Sequence, residues 1–306
     1  MKALSQDVVT FVSKVVEETI RTDQTRPQPE GLPYINPSSM ARGCVLAVAY
    51  ELLGTPKPEL EPRVKRILAV GIDGHRRIQR YLSRLTVARE VFFQDEEYHV
   101  RGYADALLYI PSAVNPPAGV GGRPTADISG FYAVEIKTTG TAEFERIVAG
   151  GQAKPDHLLQ LQVYLWGIER YYQVIRPQGG LVFYENRDNL EHRLFFAPRD
   201  DSTLLPYLER LKAMLARVAK GELPDGGEDI LPLDHWAHGY CPYLELCQAG
   251  QRAAEYQKAH RQAPPDQVVA KIIADRIVAK KRREGGKLKK KGPRSLDELA
   301  EQLRWD

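Results

Sequence analysis

The chain has 306 residues, 43% of them hydrophobic and 27% charged, with a formal net charge of +3. That profile suits a globular protein of one large or two modest domains and excludes a fibrous or disordered chain. The longest uncharged stretches, such as 43–50 and 157–168, fall well short of the ~20 apolar residues of a membrane span. Asp7, Glu17 and Glu18 interrupt the N-terminal apolar pattern, unlike a secretory signal. Three cysteines are too few for a disulfide framework, so the expected compartment is a reducing cytoplasm.

In chain order, Leu4, Val8, Val12, Val15 and Val16 recur at helical spacing and predict an amphipathic helix over 3–21. A proline-rich connector follows (Pro27, Pro29, Pro33, Pro37), and Ser38 or Ser39 can cap a second helix ending near Gly54. Residues 63–84 form a third helix, with Val64, Ile67, Leu68, Ile72, Ile78 and Leu82 on one stripe. His75 falls on that stripe and is expected to point inward. Strand-like runs follow at 89–94, 98–110 and 131–138, the last two separated by a Pro/Gly-rich excursion over 111–130. A helix over 155–172, strands at 181–184 and 192–196 and a helix over 203–220 complete the pattern. This order predicts an α/β fold: a mixed central β-sheet flanked by helices, with helical additions at both ends. The expected division is an N-terminal helix and connector (1–37), a core domain (38–248) and a basic helical extension (249–306), with Ser295 and Glu298 as the capping box of a last short helix.

Asp105 lies late in one predicted strand, and Glu135 and Lys137 lie two residues apart in another, on one face. Two carboxylates and an amine on one sheet face are costly to bury unless they hold a cation. Hard oxygen ligands suit Mg²⁺ or Mn²⁺. A lone Glu-x-Lys means little, because its ordinary reading is a salt-bridged exposed strand face. The next helix adds Gln160 and Tyr164, four residues apart and so on one side, and the preceding helix adds His75.

Taken in order, His75, Gly102-x-x-Asp105, Glu135-x-Lys137 and Gln160-x-x-x-Tyr164 resemble the PD-(D/E)xK nuclease superfamily, and within it the RecB-type exonucleases. The likeness covers roughly residues 38–196 and departs from the family's pattern at Ala104, where a proline is usual; that position offers no ligand atom. The resemblance implies a restriction-endonuclease-like core. It also implies that Asp105, Glu135, the Ile136 carbonyl and His75 ligate one or two divalent cations. Lys137 would orient or deprotonate the attacking water, and Gln160 and Tyr164 would hold the substrate backbone.

Cys44 precedes the core, and Cys241 and Cys247 follow it. The CRISPR-adaptation and AddB-type relatives of the resembled family carry one cysteine before the core and three after it, holding an iron–sulfur cluster. The distal spacing here fits with His238 in place of one cysteine, so the resemblance implies a [4Fe–4S] cluster on Cys44, His238, Cys241 and Cys247, with Zn²⁺ as the alternative. His235 is a less well-placed fourth ligand, and three buried free thiols are the plain alternative.

Between Lys271 and Arg294, eleven Lys/Arg stand against Asp275 and Glu284, a net of +9 that leaves the rest of the chain at −6. A basic appendage of this kind suits a polyanion, although a solvated helix face has the same composition. No phosphate-binding loop for ATP, dinucleotide fingerprint or nucleophile elbow is present. The expectation is a metal-dependent DNA exonuclease of DNA repair, recombination or adaptation, acting on single strands or free ends, off the membrane, with a helicase or recombination factor as a protein partner. A structure- or site-specific endonuclease on the same fold and a non-catalytic nucleic-acid-binding subunit are the alternatives.

Overall fold

The computed structural model describes residues 2–22, 34–112, 127–222 and 231–259, with side chains from residue 10 onward. One compact unit takes in Met1–Tyr256. The basic run 271–294 and the Ser295 capping box lie outside the described residues.

The centre is a five-stranded sheet in the order β1-β2-β3-β4-β5. Strands β1 (Thr86–Asp95), β2 (Val100–Ile110) and β3 (Gly130–Thr139) run antiparallel in succession, and β4 (Pro177–Asn186) lies parallel to β3. Strand β5 (His192–Pro198) returns antiparallel on the far edge. A parallel neighbour requires a crossover. Here α5 (Thr141–Gly150) and α6 (Pro155–Tyr172) supply it, giving the mixed α/β sheet with flanking helices expected from the sequence. Among the described residues, no helix is long and apolar enough to cross a membrane.

Period-two alternation divides the sheet's apolar side chains between two cores. One face carries Leu107, Ala133 and Val182 against α3 (Val45–Leu52), α6 and α7 (Asp201–Val218). The other carries Ala106, Leu108, Val134, Ile136 and Phe183 under Ile78 of α4 (Pro62–Tyr81). Helix α6 is apolar almost all round and fully buried from Gln160 to Ile168, as a helix between a sheet and a further helical layer must be. At Gly167 an added Cβ would lie 2.2 Å from a Phe93 ring carbon, so glycine lets α6 seat directly on β1.

Several local expectations are corrected. Neither Ser38 nor Ser39 caps a helix: Asn36 is the N-cap of the short α2 (Pro37–Met40), with Pro37 in its first turn, and Cys44 is the N-cap of α3. Ser39 Oγ instead donates to Glu51 Oε2 at 2.8 Å. Helix α5 falls in a stretch between the third strand and the 155–172 helix to which the sequence reading assigned no element. The α4 stripe is buried only at its C-terminal end: Ile78 is 0% exposed, whereas Leu68 and Ile72 are about half exposed. The reason is geometric, because α4 meets the sheet over its last turns, while its first turns lie beside α1 (Lys2–Thr22) through an Arg66–Glu17 ion pair. On α1 itself Val12, Val15 and Val16 are also exposed.

Candidate active site

The site forms where β2 and β3 part. Their paired register ends at Ala106↔Val134. One residue further, the Asp105 side chain takes the place of the missing strand partner, and its Oδ2 accepts the Ile136 N–H at 2.7 Å. Glu135 is completely buried, on the sheet face that meets α6. Lys137 projects from the same face and forms an ion pair with it. Lys137 Nζ also donates to Gln160 Oε1 at 3.2 Å, and Gln160 Nε2 donates to the Tyr164 hydroxyl at 2.7 Å. The structure therefore brings Asp105, Glu135, Lys137, Gln160 and Tyr164 together. Ile136 lies between the two charged residues, with its side chain in the opposite core.

His75 approaches from α4, with Nδ1 3.5 Å from Asp105 Oδ1. A glycine permits this approach: a Cβ on Gly74 would meet Thr138 Cγ2 at 2.6 Å, so a larger residue would hold α4 away from β3. His75 is thus aimed at Asp105, and its side chain remains 29% exposed.

The electrostatics follow from burial. Desolvation raises the Glu135 pKa most; Lys137 lowers it and Asp105 raises it again, leaving it well above the usual carboxylate range. For Lys137, burial acts to lower the pKa, but the charge and hydrogen bond of Glu135 outweigh it and hold the ammonium protonated. For His75 burial likewise acts downward and is outweighed by Asp105, so its pKa is raised. The Tyr164 hydroxyl is pushed far up by burial and by the two carboxylates.

The donor set has the chemistry of a hard cation. Glu135 is met by the Lys137 ammonium and by the Tyr164 hydroxyl; beyond them neither of its oxygens has a well-aligned hydrogen-bond donor, which leaves acceptor capacity for a ligand. Yet among the described residues no group of three or more His, Cys, Asp or Glu side chains could hold a metal ion. Of the expected ligands, the structure brings together the Asp105 and Glu135 carboxylates, oxygen donors of the kind Mg²⁺ takes, and His75 stands with Nδ1 3.5 Å from Asp105 Oδ1.

Three further groups escaped the sequence reading. Gln79, one turn beyond His75 on α4, donates through Nε2 to the Asp105 carbonyl and to Glu90 Oε1, both at 2.8 Å. Its i+4 spacing from His75 was the available signal. Glu90 sits mid-strand in β1 with φ of 47°, which no sequence pattern announces. His157 lies near Lys137 at the start of α6; its Nδ1 is 2.6 Å from the Tyr184 hydroxyl, and burial, Lys137 and Lys154 push its pKa down to about 2.

The cysteines are partly buried free thiols. Burial raises Cys44 most, and the charges of Cys241 and Cys247 raise it further, so residues some 200 positions apart are within electrostatic reach. His238 is 6% exposed, with Nε2 3.0 Å from the Pro232 carbonyl and 3.3 Å from that of Leu231.

No family model and no curated protein matches the chain. Among solved structures, the protein SSO0001 aligns with a TM-score of 0.46 and 18% identity, over 78% of this chain and 97% of that one. An alkaline exonuclease (LHK-Exo) from Laribacter hongkongensis aligns with a TM-score of 0.45 and 15% identity, over 62% and 90% of the two chains, both alone and in complex with dAMP. At that depth neither lends a residue role to this chain.

Proposed function

We propose that the protein is a divalent-metal-dependent nuclease that hydrolyses phosphodiester bonds, and more narrowly a DNA exonuclease. One observation carries the reading: a fully buried Glu135, ion-paired to Lys137, beside an Asp105 locked to the Ile136 amide. Burying this set disfavours the fold unless a cation and a phosphate complete it. Asp105, Glu135 and the Ile136 carbonyl would hold Mg²⁺ or Mn²⁺, which when bound neutralises charge on the phosphate and acidifies a water. Lys137, protonated by its carboxylate partner, orients that water and stabilises the developing negative charge rather than removing a proton. Gln160 fixes the Lys137 ammonium and, with Tyr164, faces the substrate backbone. His75 orients Asp105.

The narrower assignments rest on the motif resemblance: attack from a free end of single- or double-stranded DNA, a role in repair, recombination or adaptation, and a cytoplasmic location. A [4Fe–4S] or Zn²⁺ centre on Cys44, Cys241, Cys247 and His238 belongs with them. What supports that centre is that the three thiols are free and that Cys44 lies within electrostatic reach of Cys241 and Cys247; among the described residues no three of these side chains form a metal-holding group. The test incubates end-labelled single and double strands and a covalently closed circle with Mg²⁺, Mn²⁺ or chelator. Labelled ends are expected to be released only with metal, and the circle to survive. Glu135→Ala, Asp105→Ala and Lys137→Ala are each expected to lose at least about a hundredfold in rate, the scale of one removed electrostatic stabiliser. Cleavage persisting in Glu135→Ala would remove this site from consideration.

A further inference from the structure

Beside the catalytic groups lies a cavity of about 520 Å³, between α2, the β1–β2 pair and α6. Gln160 and Tyr164 form the wall shared with the catalytic site; Asn36, Ser38, Glu90 and Tyr103 line the rest. The wall is built by close packing, because a Cβ on Gly102 would meet Pro37 Cγ at 2.5 Å. Only a glycine in β2 allows α2 to lie over the strands and close the cavity.

Among the described residues the lining contains no Lys or Arg and one carboxylate, Glu90, a lining that disfavours a phosphate. Tyr103 is half exposed, its ring 5.3 Å from that of Phe92 on the neighbouring strand, and offers an aromatic surface. Glu90 is held there against its backbone preference, at φ 47°, and its Oε1 is anchored by buried Gln79. Strained backbone persists where the surrounding structure over-determines it, and it concentrates at ligand sites.

We infer that this cavity is a nucleobase subsite: a base of the bound strand stacks on Tyr103 while Glu90 accepts hydrogen bonds from its edge. The inference rests on the nuclease reading and deepens it by assigning a base preference. Carboxylates pair with exocyclic amino groups, which cytosine, adenine and guanine possess. Thymine instead flanks its single imide N–H with two carbonyl oxygens, which a carboxylate repels. The phosphodiester then stays with Lys137, on the other side of Gln160.

The experiment measures kcat/KM on four single-stranded oligonucleotides of one internal sequence, each ending at both termini in two dC, dA, dG or dT. Wild-type protein is expected to disfavour the dT ends by roughly five- to a hundredfold, the range of one good base-edge pair. Glu90→Gln, which keeps the shape and the Gln79 hydrogen bond but offers both donor and acceptor, is expected to bring dT within about twofold of dC. Tyr103→Leu is expected to weaken binding of all four ends alike, read by fluorescence anisotropy in chelator. Cleavage with equal efficiency on all four ends, or a preference unchanged in Glu90→Gln, overturns the subsite and leaves the nuclease assignment standing. No cleavage of any oligonucleotide overturns both.

Discussion

Replacing His157 by glutamine tests how the fold treats a buried imidazole beside the candidate catalytic lysine. The Lys154 N–H donates to the Tyr184 oxygen at 3.0 Å, and the Tyr184 hydroxyl shares a 2.6 Å hydrogen bond with His157 Nδ1. The other ring nitrogen, Nε2, lies 3.5 Å from Asp156 Oδ2, so a neutral imidazole with its proton on Nε2 faces an acceptor there and accepts from the Tyr184 hydroxyl at Nδ1. Asp156 favours a second proton, but burial and the ammonium groups of Lys137 and Lys154 oppose it and hold the pKa at about 2. In the unfolded chain the same group titrates near 6.5. Between those values the unfolded state binds more protons, so stability falls as pH drops below the unfolded pKa. From pH 7 to pH 5 this single group removes about 2 kcal/mol, and any folded pKa below about 4 gives the same figure. Glutamine can accept the Tyr184 hydrogen bond without titrating. Urea denaturation at pH 7 and pH 5 is therefore expected to show a loss about 2 kcal/mol smaller in His157→Gln than in the wild type. Equal losses in the two proteins would refute the argument that His157 is held neutral.

Gly167→Ala drives a methyl group into the fully buried Phe93 ring and is expected to cost about 1–3 kcal/mol, read in the same denaturation experiment. If Cys44, Cys241, Cys247 and His238 share a metal, elemental analysis of anaerobically purified protein will find iron or zinc. Cys241→Ser will then lose it together with stability, and protein free of both metals leaves the thiols as plain buried groups. Truncation before Lys280 is expected to lower the log–log salt slope of DNA binding by ~0.7 to 0.9 for each phosphate that the tail neutralises, while sparing cleavage at saturating substrate; an unchanged slope means that the tail does not touch DNA.

Apart from α5 and the division of the second helix into α2 and α3, the order of elements was legible in the sequence because each strand and long helix carries its own period, and α6 and the strands around it fall within a few residues of their expected places. The pairing of Glu135 with Lys137 on one face was legible for the same reason: period two is a local property of an extended chain. So was the shared side of Gln160 and Tyr164 on α6. The structure alone decided how far each apolar stripe is covered. Val64, Ile67, Leu68 and Ile72 look like a core stripe, yet α4 lies on the sheet only over its last turns. It also decided that Asp105 is held by a β3 amide, because the divergence of two strands is invisible in either one. The reach of His75 depends on Gly74 and Thr138, 64 residues apart in sequence, and the exposed carboxylate of Glu90 depends on Gln79 from another element. Local periodicity follows from backbone geometry and can be read residue by residue, whereas burial, close approach and the charge state of a buried group are properties of what other segments bring alongside.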